Sequence, residues 1–192
     1  MPVLIAMCGL PFSGKSVLAE ALSRELRIRL LSYDHGIYPV HRRSAPPGSS
    51  VAGEYDFVQA VARREIAAIL AGGESLIYDD LLLQREDRRK LAAVAEAHWA
   101  SLVLVYLDTP LPVIDERRAA NSGTRRRASI PEASMRSDIS VLEPPQDAER
   151  AIYVSPDYVL ADVLAWVSAR RLGEYEMPPA DKPLIPLLRD FL

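Results

Sequence analysis

Gly9-Leu10-Pro11-Phe12-Ser13-Gly14-Lys15-Ser16 decides the reading of this chain. Every residue of the stretch before it, Val3–Cys8, is apolar, as in a strand buried on both faces. After it, Lys15–Leu26 carries Leu18, Leu22 and Leu26 four apart, one apolar face of a helix. A buried strand, a glycine-bracketed turn and a helix are the context that G-x-x-x-x-G-K-[ST] requires. The glycines let the backbone curl so that successive N–H groups point inward at anionic oxygens. The helix start adds the positive end of its dipole. Lys15 supplies a mobile charge between the outer phosphates, and the Ser16 hydroxyl suits Mg²⁺. The alternative, a glycine turn with an incidental lysine, is weak here. The chain has 20 arginines and only 3 lysines, Lys15, Lys90 and Lys182, so a lysine at the required position is a rare choice.

Outward from the loop, apolar strand patterns alternate with helical ones. Strands are expected at 28–32, 76–78, 102–107 and 151–154, and helices at 55–71 and 85–99. Another begins around Thr109 as N-cap with Pro110 at its first position, and the last runs from Ser155-Pro156 to about Arg171. Residues 38–53, rich in Pro, Gly and Ser, read as a loop. Asn121-Ser122-Gly123 reads as a hinge before a polar, arginine-rich stretch reaching about Ser140. The alternation predicts an α/β fold: three layers, α/β/α, around a mainly parallel five-stranded sheet, with a lid region at about 118–140. The domain is expected to span 1–172, followed by a proline-rich tail at 173–192.

Composition narrows the function classes. The 192 residues are 49% hydrophobic and 26% charged, with a net charge of −3, ordinary for one globular domain. The negative charge disfavours a general nucleic-acid coat. Cys8 stands alone, which excludes an internal disulfide or a cysteine-rich zinc site and points to a reducing compartment, the cytoplasm. No apolar run is long enough for a membrane span. The N-terminus lacks the basic flank of a signal peptide. No Asn-Lys-x-Asp or Asp-x-x-Gly guanine motif and no Leu-Ser-Gly-Gly-Gln signature occurs, which argues against a GTPase or a transporter ATPase.

The remaining class is a small phosphotransferase, and its chemistry needs carboxylates and cations around the loop. In an open parallel sheet, ligands sit at the carboxyl ends of the strands. Asp34 ends the second strand, where its carboxylate can face an acceptor hydroxyl. Asp79, ahead of Asp80, ends the third, where it can serve Mg²⁺ with Ser16. Arg117, Arg118, Arg125, Arg126 and Arg127 flank the expected hinge. Arg117 and Arg125 are the candidates for closing over the transferring phosphoryl group. His35, His41 and His98 have no ligand spacing and read as surface or packing residues.

The loop, with Asp34, the stretch Leu76-Ile77-Tyr78-Asp79 followed by Arg88, the stretch Val103 to Pro110 with Arg117 after it, and Leu142-Glu143-Pro144-Pro145, resembles the small AAA-domain-like kinases. That group includes polynucleotide kinase, chloramphenicol phosphotransferase and zeta toxin. The resemblance covers roughly residues 3–168. It implies ATP as donor, Mg²⁺ as cofactor, Asp34 as the acceptor-activating carboxylate and a small-molecule acceptor. Two alternatives stand beside it: a nucleotide-binding regulatory ATPase and a 5′-hydroxyl polynucleotide kinase. Tyr38 counts against the second, because polynucleotide kinases carry an arginine at that position. The acceptor and the oligomeric state are not readable from the sequence.

Overall fold

The computed structural model describes residues 1–124 and 130–172. In chain order it has β1 (Val3–Cys8), α1 (Lys15–Leu26), β2 (Arg29–Ser32), a π-helical turn (Tyr33–Ile37), α2 (Tyr38–His41) and a 3-10 turn (Arg42–Ser44). There follow α3 (Val51–Ala71), β3 (Leu76–Asp79), α4 (Arg85–Ala97), β4 (Ser101–Leu107), α5 (Leu111–Thr124) and α6 (Glu132–Ser140). A 3-10 turn (Asp147–Glu149), β5 (Ile152–Val154) and α7 (Leu160–Leu172) complete it. The sheet order is β2-β3-β1-β4-β5, and every pairing is parallel.

The side-chain alternation of β1 explains the layers. Leu4, Ala6 and Cys8 face one way and pack with Val58, Ala62 and Ile66 of α3 and Leu91 and Ala95 of α4. Val3, Ile5 and Met7 face the other way and meet Leu18, Ala19 and Leu22 of α1 with Val163 and Val167 of α7. A central parallel strand covered on both sides has no polar face, which is why all of β1 is apolar. Each large apolar side chain so buried contributes about 1.5–3 kcal/mol. A third, smaller cluster of Leu10, Leu83, Ile114 and Met135 ties the loop after β1 to α5 and α6.

The three-layer α/β/α fold and the five parallel strands are those expected. The connections differ. The expected loop at 38–53 is partly helical: Pro39 falls in the first turn of α2, where its missing N–H costs nothing. Ser50 caps α3 by accepting from the Gly53 N–H at 3.1 Å, so that helix starts before residue 55. Asn121-Ser122-Gly123 lies inside α5, and the Ser122 hydroxyl bonds back to the Ala119 carbonyl at 2.6 Å. The end of the arginine-rich stretch forms α6. Ser155-Pro156 precedes a turn in which Ser155 donates to Asp157 at 2.6 Å, so α7 starts at Leu160. Arg125 and the tail at 173–192 lie outside the described residues.

Candidate active site

The loop leaves the central strand at its carboxyl end. Gly9 has φ +135 and Gly14 φ +110, both in the region that favours glycine. At Gly9 a Cβ would lie 2.9 Å from the Leu107 carbonyl oxygen, so β4 leaves room for nothing larger. Phe12, between them, also holds a positive φ of 61. The Gly9 N–H donates to the Leu81 carbonyl at 2.9 Å, and the Thr109 hydroxyl donates to the Ser13 carbonyl at 3.0 Å. The loop is thus braced from β1's neighbours on both sides. Thr109, expected as a helix cap, spends its hydroxyl on this brace. Lys15 arches over the loop and donates from Nζ to the Leu10 carbonyl at 2.8 Å.

A cavity of about 600 Å³ opens beside the loop, lined in part by Lys15, Ser16, Asp34, His35, Asp79 and Asp138. Burial holds the Lys15 ammonium below its ordinary value, opposed most strongly by Asp79. Burial likewise raises Asp79, while a hydrogen bond from Ser16 and the Lys15 charge pull it down. Asp34 follows β2 on the π-helical turn and is exposed to the same cavity. The structure therefore gathers Lys15, Ser16, Asp34 and Asp79 around one space. A second cavity of about 740 Å³ lies across the loop, between Gly14, Arg117, Pro156 and Tyr158.

The profile of the AAA domain family matches residues 4–145, most of the chain and the whole of this arrangement up to α6. The chain belongs to the AAA domain family. Among solved structures, this AAA domain is similar to Kti12 of Chaetomium thermophilum in complex with ADP-AlF3, at 17% identity and TM-score 0.71, covering 88% of this chain and 98% of that one. It is similar to a gluconokinase from Sinorhizobium meliloti, at 21% identity and TM-score 0.64, covering 90% and 93%. It is also similar to the Mycobacterium tuberculosis APS kinase in complex with AMPPNP and APS, at 21% identity and TM-score 0.61, covering 88% and 96%. No match is found among curated proteins. The shared feature is the fold, a kinase-like P-loop architecture. Among the described residues no helix is long and apolar enough to cross a membrane.

Other residues singled out in the sequence take definite positions in the AAA domain. Arg117 reaches the loop from α5 and donates through Nη1 to the Phe12 and Ser13 carbonyls at 3.1 and 2.6 Å. Arg118 pairs with Glu132 at 2.7 Å and Asp115 at 3.3 Å, joining α5 to α6. Arg88 is fully buried and grips both Glu149 carboxylate oxygens at 2.6 and 2.9 Å. It also donates to the Leu82 and Leu83 carbonyls, so it secures the turn that follows Asp79 and Asp80. His35, read as a surface or packing residue, lines the cavity, whereas His41 pairs with Glu65 at 2.9 Å.

Sequence reasoning missed a polar network behind the cavity. Asp80 accepts from Gln59 at 2.8 Å, from the Tyr78 hydroxyl at 2.9 Å and from the Leu81 N–H at 2.7 Å. Burial pushes its carboxyl up to about 6 against these three donors. Gln59 also donates to Tyr55 at 2.9 Å. The only available signal was the doubled aspartate after β3; Gln59 is brought in by tertiary packing of α3. Asp138, on α6, was missed as well, because nothing near it in sequence marks it.

Proposed function

We propose that this protein is an ATP-dependent phosphotransferase that moves the γ-phosphoryl group to a hydroxyl of a small molecule. The observation that carries the reading is the buried Lys15, held at the mouth of the loop with Asp79 and Ser16 on one side and Asp34 in the same cavity. The loop amides and Lys15 would bind the β- and γ-phosphates, and Gly9 to Ser16 form that cradle. The second cavity, beside Arg117 and Tyr158, would take the base. Arg117 would act from the loop's outer rim, and Arg125 stays a candidate for the same duty on chemical grounds alone.

Asp34 would orient the acceptor O–H and take its proton. The acceptor oxygen then bonds to the γ-phosphorus as the bond to the β-phosphate bridging oxygen breaks, and ADP carries away that electron pair. Ser16 and Asp79 fit Mg²⁺: both are hard oxygen donors, and Asp79 is a buried carboxylate within Ser16's hydrogen-bond reach. Mg²⁺ takes few protein ligands and keeps water and phosphate oxygens. Bound there, it would supply charge neutralisation for the transferring group. Phosphate transfer from γ-labelled ATP to a panel of hydroxyl compounds tests the reading. Transfer that Lys15→Ala abolishes supports it, and transfer undiminished in Lys15→Ala overturns it.

A second reading rests on the same loop and Lys15: a nucleotide-binding regulatory protein that uses ATP as a conformational switch. The same panel separates the two. Lys15-dependent hydrolysis with no acceptor phosphorylated would support the switch.

A further inference from the structure

The charge of the described residues lining the cavity says which acceptors they suit, given the phosphotransferase reading above. Among the described residues lining it, the carboxylates Glu20, Asp34, Asp79, Asp80 and Asp138 face one ammonium, Lys15, with His35 beside them. Asp79 is assigned above to Mg²⁺ with Ser16, and Asp80 already accepts three hydrogen bonds. Lys15 is reserved for phosphate. Glu20, Asp34 and Asp138 remain: Glu20 is exposed on α1, Asp34 is exposed after β2, and Asp138 sits on α6. Asp138 is half-buried, and none of the hydrogen bonds among the described residues reaches its carboxylate. Burial and the like charge of Asp34 raise its proton affinity, with Lys15 pulling the other way.

A carboxylate withdrawn from water without a donor costs free energy until something supplies one. Phosphorylated or carboxylated acceptors would bring a further negative charge against Asp34 and Asp138, which costs affinity. A compound rich in hydroxyl or ammonium groups would bring the missing donors.

We infer that the acceptor is an uncharged or cationic polyhydroxyl compound, and that Asp138 determines this specificity by accepting hydrogen bonds from it in the cavity it shares with Asp34. Asp138 holds a part of the acceptor remote from the reacting oxygen, so it acts on binding before chemistry.

The experiment uses the full chain, γ-labelled ATP and three acceptor pools: neutral sugars and polyols, amino sugars and amino alcohols, and sugar acids with sugar phosphates. The expected result is transfer to members of the first two pools. For those acceptors Asp138→Asn raises KM by roughly tenfold or more with a smaller change in kcat, and Asp138→Glu restores part of the loss. Greater transfer to amino sugars than to their neutral counterparts identifies the cationic form, and the reverse identifies the neutral one. Preferred transfer to the acidic pool overturns the inference, as does an unchanged KM in an Asp138→Asn protein whose melting temperature matches the parent. Both of those outcomes leave the phosphotransferase reading standing. Transfer to no pool, with Lys15-dependent hydrolysis intact, overturns that reading and the inference with it.

Discussion

A methyl group on Gly9 meets the Leu107 carbonyl oxygen at 2.9 Å on a backbone of φ +135. Gly9→Ala should therefore lose about 1–3 kcal/mol in urea unfolding, since neither the backbone nor β4 can yield cheaply. Gly36 has no atom within 4 Å of its added Cβ and an ordinary φ, so Gly36→Ala should shift stability by less than about 1 kcal/mol. Equal losses in the two variants would contradict the tight approach. At Asp34 the expectation is kinetic. Asp34→Asn should lower kcat by about 10²- to 10⁴-fold while leaving the calorimetric affinity for ATP within a few-fold, and matching losses in both would make Asp34 a structural residue. Residues of this kind were legible in the sequence because their signal is local: eight consecutive positions for the loop, and a strand end for Asp34 and Asp79. Thr109, Gln59 and Asp138 were not. Their partners stand 96, 21 and over a hundred positions away for Ser13, Asp80 and Asp34 respectively, and no short pattern encodes such meetings.

At the scale of elements, the joint between α4 and the turn before β5 rests on one ion pair. Arg88 is 1% exposed and Glu149 14%. Arg88→Ala would leave Glu149 without its partner and uncap the Leu82 and Leu83 carbonyls, a loss of about 3–5 kcal/mol that thermal or urea melts would register. The pair also sets an acid response. Burial alone would raise the Glu149 carboxyl, but the Arg88 hydrogen bond and charge bring it below its ordinary 4.5. Its contribution is therefore complete above pH 4.5 and is lost as the pH falls through the lower folded value. Between pH 6 and 3, Glu149→Gln should show a shallower fall in stability than the parent, and parallel curves would remove the pair from the acid response. The order of elements was readable from period and punctuation. Their ends were not, because a cap such as Ser50 or a back-bond such as Ser122 to Ala119 reassigns residues that composition alone gives to a loop.

Across the whole molecule, β1 is the axis on which both apolar clusters and the loop depend, and Cys8 reports on its integrity. Burial pushes the Cys8 thiol up to about 11, so little thiolate forms at pH 8 and reagents cannot reach it. A disulfide reagent at pH 8 should label the native protein at least about 100-fold more slowly than the urea-unfolded chain, and rapid native labelling would contradict a closed sheet. The sheet itself was the most legible level, since an all-apolar central strand followed by a phosphate loop admits few architectures, whereas the acceptor side depends on α3 and α6 folding over it. What the loop grips decides the function. Titration calorimetry in the presence of Mg²⁺, with ATP, ADP and AMP against the parent and Lys15→Ala, measures this directly. Affinity should fall from ATP to AMP by at least about tenfold, or 1.4 kcal/mol, and Lys15→Ala should lose that discrimination. Equal affinity for ATP and AMP, or an ATP affinity that Lys15→Ala leaves untouched, would contradict this.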